Sequence, residues 1–194
     1  MTVQTVIDMA RYGELKQIAV KDIDAAIISY INLGLIELYK RFQLRTEEQI
    51  IQVVGGQTLY TLDEECMSII MVINEGGEYH PINVEDDLNS VLTPSYNQIQ
   101  LPNPTDGMAL SVIYRSAPDL LTDVADIVPI PKSLLEALLH YIGYRGHGSM
   151  DGNVEAENNT HYTRFEASIS RVTALGLITP DDALKSQFDA KGYA

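Results

Sequence analysis

Apolar residues recur every three or four positions at both ends of this chain, while its middle is built of short β-rich runs, so a helical frame interrupted by strands is expected. Val3, Val6, Ile7 and Ala10 mark a first helix, capped by Thr2 or Thr5 and ended by Gly13. A longer helix starts near Asp22, with Ile23, Ile27, Tyr30, Ile31, Leu35, Leu38 and Phe42 on one face. Ile28 and Ile36 widen that stripe, which predicts cover on more than one side. Lys40, Arg41 and Arg45 lie toward its C-terminal end, where cations suit the helix dipole.

The period then changes. Gln49–Val54 is β-rich, Gly55-Gly56 is a turn, and Leu59–Leu62 reads as the returning strand of a hairpin. Ser68–Ile73 is a continuous apolar run, expected to be buried on both faces. Tyr79–Ile82 is a short strand that Pro81 places at a sheet edge. Val84–Leu92 suggests a helical turn capped by Asn83, followed by strands at Gln98–Leu101 and Ala109–Arg115. Five or six strands in an antiparallel sheet or small barrel are predicted. After Pro118, Pro129 and Pro131 the helical period returns with Leu134, Leu135, Leu138, Leu139 and Ile142, a helix that Gly143, Gly146 and Gly148 are expected to end. A last long helix spans about Val154–Leu175, with Tyr162, Phe165, Ile169, Val172 and Leu175 on one face. Beyond Gly176, Thr179-Pro180-Asp181-Asp182 is a helix-start signal, with Leu184 and Phe188 four apart. The reading is α+β, mostly α: N-terminal helices over 1–45, an inserted antiparallel β-module over 46–117, C-terminal helices over 118–175 and a C-terminal arm over 176–194.

Charge changes the picture of partners. The net charge of −14 argues against ordinary phosphate-backbone binding, which needs Lys and Arg. From Thr61 to Asp126 there are twelve Asp or Glu against one basic residue, Arg115, so the acidity is concentrated in and just after the module. The single cysteine, Cys66, excludes an internal disulfide and any zinc cage built on Cys pairs. The N-terminal run lacks the basic segment and apolar core of a secretory leader, and no stretch approaches a membrane span, so no membrane partner is expected.

Candidate chemistry is thin. His140 and His147 are seven apart and share a helix face only if the helix survives its glycines; His161 on the next helix is placed to approach His140. With Glu157 these supply the ligands of an alternative reading, a small metal-dependent hydrolase. Packing or surface histidines are the favoured account. Glu85, Asp86 and Asp87 read as a solvated run, and Glu155 and Glu157 do not share a helix face. No Walker loop, nucleophile elbow or EF-hand spacing occurs. No catalytic residue, metal ligand or cofactor is expected, which favours a structural or interaction protein; a generic acidic protein-binding module is a further alternative.

Several segments, in order, carry a resemblance: Ile31-Asn32-Leu33-Gly34-Leu35-Ile36-Glu37-Leu38, then Gly55-Gly56-Gln57-Thr58-Leu59-Tyr60-Thr61-Leu62, then Tyr114-Arg115-Ser116-Ala117-Pro118-Asp119-Leu120, then Ile127-Val128-Pro129-Ile130-Pro131 through Tyr144, then the helix from Val154. Over about Thr2–Leu175 the chain resembles the head-to-tail adaptor (connector) proteins of tailed bacteriophages. Asp63 departs from the family's usual Pro, and its Asp pair is reduced to Asp151. The resemblance implies a four-helix core and a structural role in the virion, at the head–tail interface, after assembly in the host cytoplasm. It implies a ring of twelve copies beneath the portal protein, a platform for nozzle or tail-tube proteins, and genomic DNA passing through the lumen without specific binding. On it, Leu177, Ile178, Leu184, Phe188 and Tyr193 are portal-binding anchors of the arm. Gln57, Tyr60, Tyr79 and Tyr96 face neighbouring subunits or the tail, and Glu85, Asp86 and Asp87 are acidic candidates for the DNA channel.

Overall fold

A computed structural model describes residues 1–16, 23–148 and 155–178. The chain forms two compact units: one takes in Met1–Phe42 and the described residues from Pro118 onward, the other Gln43–Ala117. Among the described residues, four helices and an inserted antiparallel β-module make up the fold.

The helical unit contains α1 (Val3–Tyr12), α2 (Ile23–Arg41), α3 (Leu135–Gly148), entered through a 3-10 turn at Lys132–Leu134, and α4 (Glu155–Ala174). The period-3.6 reading of α1 holds: Val3, Val6, Ile7 and Ala10 are its buried residues, and Thr2 is the cap, accepting the Thr5 N–H at 3.3 Å. The remaining free amides at this helix start are met by the returning chain, with Val3 N–H donating to Asp126 O and Gln4 N–H to Val124 O, both at 2.9 Å. In α2 the predicted stripe is the buried one: Ile27, Ile31, Leu35, Leu38 and Phe42 are inaccessible or nearly so. Leu134, Ala137, Leu138 and Ile142 form the matching face at and after the start of α3.

Two helical expectations change. The glycines do not end α3, which runs through Gly143 and Gly146 to Gly148. A Cβ on Gly143 would sit 2.7 Å from His161 Nδ1 and 3.1 Å from Glu14 Cβ, so the bare backbone admits two neighbours. On α4 the buried face is Phe165, Ser168 and Val172, while Tyr162 and Leu175 are exposed. The Asp22 cap, the Asp151-Gly152 turn and the Thr179–Asp182 start signal lie outside the described residues. No helix among the described residues is long and apolar enough to cross a membrane.

The module has seven strands: β1 (Thr46–Gln52), β2 (Leu59–Thr61), β3 (Cys66–Asn74), β4 (Tyr79–His80), β5 (Leu92–Ser95), β6 (Gln98–Gln100) and β7 (Ala109–Ser116). They form two sheets, β1-β7-β3-β4 and β2-β6-β5. The expected β1–β2 hairpin is not made. β1 pairs with β7 from Thr46↔Arg115 to Gln52↔Ala109, and β2 pairs with β6. Gly55-Gly56 instead carries the chain from one sheet to the other, fastened by Gly55 N–H to Asp106 Oδ1 at 3.0 Å. β5 escaped the sequence reading because Leu92-Thr93-Pro94-Ser95 looks like a turn; as an edge strand it tolerates a proline without an N–H. Asn83 caps no helical turn. At φ 53° its side chain crosses to Thr93, donating to Oγ1 at 2.6 Å and accepting the Thr93 N–H at 3.0 Å. Ile51, Val53, Tyr60, Leu62, Cys66, Val72, Val91, Ile99, Leu101, Leu110, Val112 and Tyr114 make one continuous core. The apolar run of β3 is not buried on both faces, since Met67–Met71 are all half-buried.

Candidate assembly surfaces and the histidine cluster

The side of the four-stranded sheet opposite the module core carries a row that is apolar except for Ser111, whose hydroxyl donates to Glu48. Register places Ile50 opposite Ser111, Ser111 opposite Ile73 and Ile73 opposite Tyr79, and residues paired across strands share a face. Ile50 is 65% and Tyr79 59% exposed, so both ends of the row lie open. Tyr96, in the β5–β6 turn, is equally open, while its carbonyl receives the Cys66 thiol at 3.3 Å. Gln57 is exposed, but its amide folds back to donate to Leu59 O at 3.1 Å. Tyr60 is placed differently from these three. It is 7% exposed in the module core, and its hydroxyl accepts the Val54 N–H at 2.9 Å and donates to Val54 O at 3.3 Å.

The acidic run sits in the loop between β4 and β5. Glu85 and Asp86 are exposed; Asp87 is half-buried and accepts the Asn89 N–H at 2.8 Å. Ser90, buried beneath, accepts the Val84 N–H and donates to Pro81 O, which holds the loop in shape. Leu88 projects from the same loop almost fully exposed.

The arm begins from a firmly stopped helix. Gly176 adopts φ 63°, its N–H donates to Thr173 O at 3.0 Å, and Leu177 N–H reaches Val172 O at 3.2 Å. This is the double bond pattern of a Schellman stop, which needs the left-handed conformation that glycine adopts without cost. Leu177 is exposed and Ile178 half-buried immediately after it. Leu184, Phe188 and Tyr193 lie outside the described residues.

Charge within each unit is tightly held. In the module the buried Tyr114 hydroxyl donates to Asp63 Oδ2 at 3.2 Å and Glu47 Oε2 at 3.3 Å. Burial and both carboxylates push its pKa up. Asp63 therefore has a structural use at the position where the resembling family often has Pro. Burial, reinforced by Asp63, pushes the Cys66 thiol up to about 11. In the helical unit Arg41 binds Glu166 through two nitrogens at 2.6 and 2.8 Å, also reaches Glu37, and lies 4.9 Å above the Phe165 ring. The hydrogen bonds from Arg41 hold Glu166 below its ordinary range.

The same unit gathers three histidines and one glutamate. His161 Nδ1 lies 2.9 Å from Glu14 Oε2 and His140 Nδ1 lies 3.2 Å from Glu14 Oε1. His147 stacks on His161 with ring centres 4.6 Å apart, and its Nε2 donates to Glu14 O at 2.9 Å. Sequence reasoning placed His140 near His161 and missed Glu14. No local pattern could have found it, because Glu14 follows α1 and reaches α3 and α4 only through the tertiary fold.

No curated relative matches the sequence. Among solved structures, a chain of "Neck of empty GTA particle computed with C6 symmetry" is similar over 87% of this chain and 88% of its own, at 15% identity and a TM-score of 0.32. The family model described as SU10 adaptor protein matches residues 1–185. Adaptor membership leaves the hydrolase alternative without support. With nearly its whole length matched, the chain belongs to the SU10 adaptor protein family: it is a structural head-to-tail adaptor of the virion, at the head–tail interface, and not an enzyme.

Proposed function

We propose that the chain works as one subunit of a ring, of twelve copies, that docks beneath the portal and presents a platform to tail proteins while genomic DNA passes through its lumen. The observation that carries this is the open apolar row from Ile50 to Tyr79, on a sheet face turned away from the module's own core. A folded unit gains by covering such a row, and in an adaptor the available covers are a neighbouring subunit or a tail protein. Tyr79 and Tyr96 supply apolar area with a polar end, which suits an interface that forms from soluble parts. Gln57 flanks it. Tyr60 contributes indirectly, from within the core, by fixing the backbone at Val54.

Glu85, Asp86 and Asp87 give the lumen a charge that repels the DNA backbone, so DNA slides without adhering. The arm is the portal anchor: Leu177, Ile178, Leu184, Phe188 and Tyr193 enter apolar grooves of the portal. The Schellman stop at Gly176 supports this reading by ending α4 cleanly just before the first of these anchors.

Mixing the full chain with its cognate portal and imaging by negative-stain electron microscopy tests the proposal. A ring on the portal is expected, with mass photometry giving the copy number. A chain ended after Ile178 should keep the helical circular-dichroism signal and lose the ring. Absence of any portal complex with the full chain overturns the proposal; a ring formed equally by the shortened chain overturns the anchor assignment alone.

A further inference from the structure

The Glu14, His140 and His161 side chains each offer one ligand atom, and these atoms lie within 4.8 Å of one another. Both Nδ1 atoms are buried from solvent and make no hydrogen bond of proper geometry, Glu14's oxygens included. Three ligand-bearing side chains thus lie close together, and neither Nδ1 has a hydrogen bond to account for its burial. Burying such groups together is costly unless a cation or protons lie among them. Burial lowers the proton affinity of His161, and His147, Arg164 and His140 lower it further against the opposing pull of Glu14. A neutral imidazole is the form that ligates a metal.

The spacing of the three side chains accommodates a transition metal as well as an ion pair. Two bonds of about 2.0–2.1 Å at a tetrahedral angle set their donors roughly 3.4 Å apart. The two Glu14 oxygen-to-Nδ1 separations, 2.9 and 3.2 Å, reach that spacing with shifts of a few tenths of an ångström. Glu136 Oε1 stands 3.8 Å from His140 Nε2, beyond hydrogen-bond distance, and a small movement of its side chain would let it orient the imidazole. Gly143 supplies an independent observation. An interior helical glycine costs about 1 kcal/mol relative to Ala. Here it is the position whose side chain would displace His161 and Glu14. A cavity of about 470 Å³, lined by Gly13, Glu14, Lys16, His147, His161 and Arg164 among others, adjoins two of the three side chains.

We propose that Glu14, His140 and His161 form a divalent transition-metal site, taking Zn²⁺ in preference to Mg²⁺ or Ca²⁺, that ties the segment after α1 to α3 and α4. Its role is structural. Two imidazoles and one carboxylate suit Zn²⁺ far better than Mg²⁺ or Ca²⁺, which take oxygen shells. This departs from the packing role that sequence reasoning favoured for these histidines, and it stands independently of how the adaptor binds its portal.

Tag-free full-length protein, stripped with chelator and titrated with ZnCl₂ by calorimetry, tests the site, with metal content read by mass spectrometry on unstripped protein. About one Zn²⁺ per chain is expected, with a melting temperature raised by Zn²⁺ and lowered again by chelator, and no such rise with Mg²⁺. Glu14→Gln, His140→Ala and His161→Ala should each weaken binding at least tenfold, while His80→Ala in the module leaves it unchanged. Glu14→Gln preserves shape, so it keeps the test decisive if a histidine variant fails to fold. Co²⁺ loading should give the intense visible bands of a four-coordinate site. No zinc uptake by the wild-type chain overturns the proposal, as does uptake that Glu14→Gln leaves unchanged. A cluster whose stability responds to pH and not to Zn²⁺ holds protons instead, and that outcome also overturns it.

Discussion

Asn32 and Leu121 are joined by two reciprocal hydrogen bonds: Asn32 Nδ2 donates to Leu121 O and Leu121 N–H donates to Asn32 Oδ1, both at 2.9 Å. One side chain in the middle of α2 thereby satisfies both backbone polar groups of Leu121, in the segment that follows the β-module. Tyr39 does the same one-sidedly two turns later, donating to Pro129 O at 2.9 Å. Asn32→Ala leaves the Leu121 amide and carbonyl without these partners in a part-buried site. A loss of roughly 2 kcal/mol is expected, from one or two unsatisfied groups at about 1–3 kcal/mol each. Urea unfolding should show a lower midpoint with unchanged slope, and Asn32→Asp, which sets a carboxylate oxygen against Leu121 O, should not restore it. A midpoint within error of wild type would show that water replaces the clamp at no cost.

Acid should loosen the helical unit through Glu166. Its folded-state pKa is depressed, chiefly by the hydrogen bonds from Arg41. A depressed carboxylate contributes stability that is fully present above its unfolded value, about 4.3 for Glu, and is lost as pH falls through the folded value. Because Glu166 is 40% exposed, the contribution is held to roughly 1 kcal/mol at neutral pH. Glu166→Gln should therefore be less stable at pH 7, with the gap from wild type closing as pH drops below about 4. Urea midpoints across that range check it; a constant gap would assign the loss to packing against Arg41 and not to charge.

Cys66 should be inert while the module is folded. It is 2% exposed, and burial pushes its thiol pKa up to about 11, so little thiolate exists at neutral pH. Ellman's reagent at pH 8 should label the native chain far more slowly than the urea-unfolded chain, with the rate tracking opening of the module. Immediate full labelling of native protein would contradict the burial.

The apolar row gives an assembly prediction separable from folding. Ile50→Asp and Tyr79→Asp place a charge on positions more than half exposed, so monomer stability should shift by only about 0.5 kcal/mol. Either change should nonetheless reduce ring formation on the portal at least tenfold if the row is covered there. Sedimentation velocity of the mixture, with urea unfolding as the control, distinguishes the two effects. Rings formed as readily as by wild type would remove this face from the interface.

The sequence by itself determined which faces of α1 and α2 are buried, though not that of α4. Val3, Val6, Ile7, Ala10 and the Ile27–Phe42 stripe were readable because a local period of 3.6 dictates which side chains share a face, whatever that face meets. It also set the switch to strands after Arg45 and, through the order of its segments, the adaptor family. Tertiary structure decided the partners. Strand character is local, but pairing is not, so β1 reads as half of a hairpin and yet binds β7, while Gly55-Gly56 passes the chain to another sheet. Gly143 looks like a helix end because its propensity is poor; only the approach of His161 and Glu14 shows why a glycine is kept inside α3. The Glu14 cluster and the Asn32–Leu121 clamp are likewise invisible in one dimension. Each joins residues far apart in the chain, and what brings them together is the burial of apolar faces, which the local pattern announces without saying against what.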